Sequence, residues 1–201
     1  LDDKAREFYK STENKLFKVC PNVMSRKIGR ANVQQAFTLS TVLEMHYNKL
    51  NKAKILCVGC FEDPSFEYLS KNGFDIIGVD PAINYSLHAL TKEIKYDIIF
   101  STSVIEHVEN DEEFIADICD LLNKDGIAIL TCDFNKNYKK GDSVPATVTR
   151  QYTEYDLKTR LNNVLSEKGC SLLMEPDWSG EPEFVYQGHK YNFATYVFIK
   201  E

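Results

Sequence analysis

The 201 residues are 43% hydrophobic and 27% charged, with a formal net charge of −6, the composition of an ordinary globular protein with enough chain for one substantial core. The acidic balance argues against a nucleic-acid partner, whose binding face shows as a basic excess or stripe. No apolar run reaches bilayer-spanning length and no secretory signal is visible, so a cytoplasmic protein without a membrane partner is expected.

Residues 1–50 read as a helical arm, with Phe8, Tyr9, Leu16 and Phe17 as apolar anchors and Pro21 as a break. Its best-patterned stretch is a predicted helix over 31–47, where Val33, Ala36, Phe37, Val42, Leu43 and Tyr47 recur near a 3.6-residue period. Arg26, Lys27 and Arg30 stand just before it. Such a cluster is either a solvated helix entrance or an arm that closes over a site and meets a carboxylate or phosphate through Arg30.

Residues 54–80 form one unit: an apolar run at Ile55–Val58, a tight turn at Gly59, a helix, and a second apolar run at Ile76–Val79 that ends on Asp80. Continuous rather than alternating apolar runs fit strands covered on both faces. Asp63 is placed to cap the helix, Pro64 fits its first position, and Gly73 closes it. A strand–helix–strand of this length joins parallel neighbours by a right-handed crossover. Ligands sit at the strand C-termini of such sheets, here marked by Gly59, Cys60, Phe61, Glu62 and Asp80.

Beyond Asp80 a third strand is predicted over 97–101, with a brief strand over 87–90 in the short segment before it. A helix over 111–122 buries Phe114, Ile115, Ile118, Leu121 and Leu122. The turn Asn123–Gly126 leads to a fourth strand over 127–132 that ends at Asp133. Residues 134–150 are polar and turn-rich, hence a loop on the ligand side. A helix over 153–167 ends at Gly169, and final strands over 171–174 and 194–199 flank an aromatic and acidic insert, 177–193. The whole reads as one domain, 1–201, with the arm at 1–50 and the core at 51–201.

Six cysteines invite a zinc or disulfide reading, but Cys57 and Cys132 fall in apolar strands and Cys119 in a helical pattern, where free thiols act as small hydrophobes. Cys57-Val-Gly-Cys60 is formally a C-x-x-C, but zinc would need a second pair at similar spacing and none exists, which leaves a redox pair after a strand as the minor alternative. No metal is expected.

The glycine turn must be assigned by chemistry. A dinucleotide fingerprint needs G-x-G-x-x-G, whereas Phe61 and Asp63 stand where further glycines would be. Glu62 and Asp63 also place two carboxylates where a pyrophosphate would bind. A cationic or phosphate-free nucleoside fits better, with Asp80 placed to accept hydrogen bonds from two ribose hydroxyls. The stretches ILCVGC, GVDPA, YDIIFSTSVIEHV and LLNKDGIAILTCDF, over about 54–134, resemble the class I S-adenosylmethionine-dependent methyltransferases. The resemblance implies a Rossmann-like three-layer α/β sandwich, with a mostly parallel seven-stranded sheet whose last strand is antiparallel. It implies S-adenosylmethionine over the strand C-termini, with Gly59, Cys60 and Phe61 beside its methionine and sulfonium. Asp80 and Pro81 would then lie at the ribose, Ser101, Thr102 and Ser103 beneath the donor, and Arg30 on the arm that closes over it. Cys57, Phe61 and Asp63 depart from the family pattern, and the stretch carrying its third strand is abbreviated.

The activated donor leaves the enzyme mainly to align an acceptor. His107 is the first candidate base, because histidine ordinarily titrates near neutrality; Glu106 and Asp133 are secondary candidates. Arg150, Tyr152, Trp178, Glu181 and Tyr186 are candidate acceptor contacts. With Glu183, His189 and Tyr191 nearby, they suggest a small polar molecule, with O-methylation of a sugar, glycan or nucleotide-sugar the best match. The protein would act as a monomer or homodimer. The altered glycine turn leaves a second reading open, a methyltransferase-like binding or regulatory subunit without turnover, and an NAD-dependent sugar-modifying enzyme is a third.

Overall fold

The computed structural model describes residues 1–48, 52–173 and 176–201. The described residues form seven strands: β1 (Ile55–Val58), β2 (Ile76–Val79), β3 (Tyr96–Thr102), β4 (Leu122–Phe134), β5 (Cys170–Leu172), β6 (Phe184–Tyr186) and β7 (His189–Lys200). They are ordered β2-β1-β3-β4-β7-β5, with β6 paired to β7 off that path. The pairs β1–β2, β1–β3 and β3–β4 are parallel, and β7 runs antiparallel to β4, β5 and β6. This is the expected Rossmann-like sheet with an antiparallel last strand.

The helices are α1 (Asp3–Phe8), α2 (Lys10–Val19), α3 (Pro21–Met24), α4 (Val33–Asn48), α5 (Pro64–Lys71), α6 (Asp111–Leu121) and α7 (Leu161–Glu167). Strand residues alternate between two buried layers. Ile55, Cys57, Ile98, Phe100 and Ile129 pack with Leu16, Leu39 and Leu69 of α2, α4 and α5. Leu56, Val58, Ile99, Leu130 and Phe198 pack on the other face with Ile115, Ile118 and Leu161 of α6 and α7. The local signals for α5 hold in detail: the Asp63 side chain accepts from Phe66 N at 2.8 Å, Pro64 opens the helix, and Gly73 follows it at φ +78°.

Three expectations are corrected. Residues 87–90 form a 3-10 turn, Leu87–Ala89, rather than a strand. The segment between Asp80 and Tyr96 is too short for a further strand and its crossover, and Leu87 instead drops into the core. The seventh strand comes from the insert: β6 and an early start to β7 make a hairpin around Gln187 and Gly188, both at positive φ, the backbone that a two-residue turn between twisted strands requires. The helix predicted over 153–167 opens with a π turn, Asp156–Arg160, before α7. In the strand predicted over 171–174, Met174 lies outside the described residues. All six cysteines are free and buried; burial pushes the Cys60 thiol up to about 11 and Cys57 well above its ordinary value, which suits core packing and not redox chemistry.

The segment after β4 is held by a buried ionic hub. Asp111 accepts from the Tyr152 hydroxyl at 3.0 Å and from Arg160 Nη2 at 2.8 Å, and pairs with Arg150 Nη1 at 2.9 Å. Burial alone would raise the Asp111 carboxyl, but the two guanidinium groups and the phenol outweigh it and hold it below its ordinary value. Its stabilising contribution is therefore full above about pH 4, the unfolded value, and fades as pH falls through the lower folded value. Asp111→Asn is expected to cost about 2 kcal/mol at neutral pH, because it removes the buried charge that the partly buried Arg150 and Arg160 share. Urea denaturation at pH 7 tests this, and a loss no larger than that of an exposed surface pair would contradict it.

Candidate functional site

The crevice opens at the C-termini of β1, β2 and β3, where the chain leaves β1 and β3 for opposite faces of the sheet. It encloses about 1140 Å³. Its floor is the turn after β1. Gly59 sits at φ +83°, and a Cβ there would fall 2.3 Å from Val104 Cγ2, so only glycine fits. Glu62 and Ser103 take the left-handed region as well, at φ 54° and 57°, a concentration of strained residues typical of functional loops.

Asp80 is at the cavity wall, where its carboxylate accepts from Phe61 N at 3.2 Å and from Ala82 N at 2.8 Å. Those two bonds fix its direction and leave acceptor capacity toward the cavity. Gly59, Phe61, Pro81, Thr102, Ser103, His107 and Tyr186 also line the space, as expected from the sequence. Cys60 and Ser101 do not: the first packs in the core layer beneath α5 and the second is buried in β3. Arg30 pairs with Asp3 at 2.8 Å, away from the lining. Arg26 and Lys27 line the cavity in its place, and Arg26 Nη2 bridges to Glu62 at 2.9 Å.

His107 stands on a short turn, Ile105–His107, and its Nδ1 lies 2.5 Å from the Thr147 carbonyl oxygen. A carbonyl oxygen only accepts, so Nδ1 carries the hydrogen, and in the neutral ring the lone pair is then on Nε2. Glu106 points the other way: it is fully buried, accepts from Ser103 Oγ at 2.7 Å, and has a second oxygen without a partner. Burial raises both the Glu106 and the Asp133 carboxyl, and the Glu106 charge adds to the rise at Asp133. Neither acid lines the cavity; Glu106 touches a residue that does, through Ser103 Oγ.

Of the expected acceptor contacts, only Tyr186 meets the cavity. Arg150 is engaged by Asp111 and by the carbonyls of Val108 and Glu109. The buried Tyr152 hydroxyl bonds Ile105 O and Asp111, and Trp178 Nε1 donates to Thr195 O. Glu181 pairs with Lys136 on the surface. These residue types bind ligands and brace loops equally well, and nothing in their spacing separates the two uses. Sequence reading missed Asn32, Gln34 and Gln35. All three are buried at the cavity wall, with side-chain atoms that have no partner.

A family profile described as a methyltransferase domain matches residues 30–175. The chain is 32% identical to the ubiquinone biosynthesis O-methyltransferase of Rickettsia canadensis, across 63% of this chain and 66% of that protein. It is 29% identical to the enzyme of the same name from Rickettsia typhi, across 44% of each. The matches thus span between under half and two thirds of those relatives. In fold the chain is similar to magnesium protoporphyrin IX methyltransferase from Synechocystis PCC 6803 with bound S-adenosylhomocysteine, at 16% identity and a TM-score of 0.57, covering 98% of each chain. Among the described residues no helix is long and apolar enough to cross a membrane.

The residues present fit such a donor: a glycine-only floor beside Val104 and, at the end of β2, an Asp80 carboxylate held at the cavity wall with acceptor capacity left over. Asp80→Ala is expected to weaken S-adenosylhomocysteine binding by about 10- to 100-fold, the worth of losing hydrogen bonds to a charged acceptor. Titration calorimetry measures it, with the melting temperature as a folding control; an unchanged affinity in a folded variant would remove Asp80 from the ribose.

Proposed function

The chain belongs to the methyltransferase-domain family, a class whose donor is S-adenosylmethionine, and on that premise we propose that it methylates a hydroxyl of a small ring-bodied molecule, with His107 as the base. The observation that carries this reading is the histidine's orientation: Thr147 holds Nδ1–H, leaving a bare Nε2 on a residue that lines the cavity. The donor, when bound, supplies a methyl group already activated for transfer.

Each remaining task falls to residues of this chain. Asp80 orients the ribose, while Gly59 lets the backbone approach closely enough to set the depth of the site. The loop carrying Thr147 fixes the imidazole, and Thr149 secures that loop through two bonds from its N and Oγ1 to the Glu106 carbonyl, at 2.9 and 2.8 Å. An acceptor oxygen taking the methyl group as the donor's sulfur–carbon bond breaks, with that electron pair left on sulfur, would pass its proton to His107 Nε2. Val104, Val108, Phe114 and Leu87 give the cavity an apolar side that suits a ring better than a sugar. The Rickettsia relatives, named for O-methylation in ubiquinone biosynthesis, support oxygen over nitrogen as the acceptor atom and speak against the sugar and glycan acceptors expected from the insert. The reading without turnover rested on the altered glycine turn, and these enzyme relatives do not favour it. A cytoplasmic setting and a monomer or homodimer belong to the same reading.

With catechol as acceptor, His107→Ala is expected to lower turnover by about 100-fold or more and leave S-adenosylhomocysteine affinity within about twofold. Wild-type turnover in the variant would retire His107 as base. Methylation of a sugar or an amine probe, but not of catechol, would overturn the acceptor class.

A further inference from the structure

Two side chains that line the cavity, His107 and Tyr186, are tied to one short piece of loop. Ala146 and Thr147 are the central pair of a turn closed by Val148 N, which donates to Pro145 O at 3.1 Å. The Thr147 carbonyl accepts from His107 Nδ1, and the Ala146 N–H donates to Gln187 Oε1 at 2.8 Å. Gln187 Nε2 in turn donates to the Tyr186 hydroxyl at 3.2 Å. Gln187 sits in the turn of the β6–β7 hairpin at φ 49°, a backbone that suits glycine or asparagine better, and its side chain links hairpin to loop. The Tyr186 ring packs against the buried cluster of Val33, Phe184, Tyr191 and Phe193. His107 is exposed and Tyr186 half-buried, so both are open to a ligand in the cavity. The polarity of these bonds is fixed. A backbone N–H only donates, so the Gln187 amide turns its oxygen to Ala146 and its nitrogen to Tyr186. That nitrogen also only donates, so the phenol oxygen accepts and the phenol hydrogen is left to give. One loop dipeptide thus holds a proton acceptor, His107 Nε2, and a hydrogen-bond donor, the Tyr186 O–H.

We propose that Tyr186 is a specificity-determining residue, whose O–H donates to a second oxygen of the acceptor while His107 takes the proton of the first, and that Gln187 is the positioning residue that holds the two together. The inference rests on the O-methylation reading above and deepens it: the acceptor is a hydroxylated ring that carries another hydrogen-bond-accepting oxygen. A ring with a single hydroxyl meets only His107 and can turn about that one bond. A second oxygen on Tyr186 fixes the ring at two points, which is the alignment that an activated donor leaves to the enzyme. A ring without that oxygen would strip water from the phenol and give nothing back, so the same hydroxyl discriminates against it.

Steady-state kinetics with catechol and phenol, which differ by one oxygen, reads the role directly. The wild-type kcat/KM is expected to favour catechol by about tenfold or more. Tyr186→Phe removes the oxygen and keeps the ring. It is expected to cut that preference by about tenfold, chiefly through a higher KM for catechol. Gln187→Gly suits the turn and removes the link. It is expected to lower kcat with both probes by about fivefold or more and to reduce the catechol preference, with S-adenosylhomocysteine affinity by calorimetry within about twofold. A hairpin that served stability alone would shift the melting temperature and leave the catechol-to-phenol ratio unmoved. An unchanged ratio in Tyr186→Phe, or a wild-type enzyme with no preference for catechol, would overturn the proposal while O-methylation stands. Wild-type kcat and ratio in Gln187→Gly would overturn its positioning role. A wild-type protein that methylates neither probe would sink the O-methylation reading and this inference with it.

Discussion

The close approach of Gly59 to Val104 sets the geometry of the site. Strands β1 and β3 are neighbours, but α5 carries the chain from β1 to one face and α6 carries it from β3 to the other. The two exits splay apart and leave a crevice between them. How deep it is depends on how closely the turn after β1 can settle on the segment after β3. Gly59 N and Cys60 N both donate to Val79 O, at 2.8 and 3.2 Å, which folds the turn over toward β2 and presses it on Val104. A methyl group at position 59 would meet Val104 well inside contact distance, and the strained φ forbids it independently. Asp80 takes its bearing from this turn through Phe61 N, and Ser103 and His107 flank Val104 on the opposite wall. Asp80 and His107 are thus held on facing walls that meet where Gly59 packs on the Val104 side chain.

The second wall is held more indirectly. The turn carrying His107 is too short to hold itself, and the loop after β4 braces it at several points. Thr149 bonds the Glu106 carbonyl, Arg150 the carbonyls of Val108 and Glu109, and Tyr152 the carbonyl of Ile105. Arg150 and Tyr152 also meet at Asp111, so the brace is anchored in a buried ionic hub whose members cannot be removed singly without stranding charge. Residues that look like ligand contacts by type here do the work of positioning one imidazole.

How much of this was legible in the sequence follows from which interactions are local. The cap at Asp63, the stop at Gly73 and the apolar runs of β1 and β2 are set within a few residues, and the structure matches them. Asp80, Ser103 and His107 are legible because strand ends in a parallel sheet converge on one edge. The hairpin at Gln187–Gly188 and the engagement of Arg150, Trp178 and Glu181 depend on partners far away in the chain, which spacing does not reveal. The amides of α4 were hidden for a different reason: the helix period was read from its apolar positions alone, which says nothing of Gln34, Gln35 and Thr38. They are buried because that part of the helix packs on α5 and β3, where Ser65 Oγ donates to Gln35 O and Thr102 Oγ1 to Thr38 Oγ1.

The turn after β1 also explains why a dinucleotide would be a poor guest. A glycine-rich turn binds pyrophosphate by offering the free N–H groups and the positive pole of the following helix. In this chain that pole is already occupied: Asp63 accepts from Phe66 N within the protein, and Glu62 stands beside it in an ion pair with Arg26. A phosphate would have to displace the cap and face two carboxylates, while Phe61 blocks the close backbone approach that the missing glycine would allow. The same substitutions favour a cation, since a carboxylate held in a buried wall gains most from the one kind of group that compensates it without protonating it.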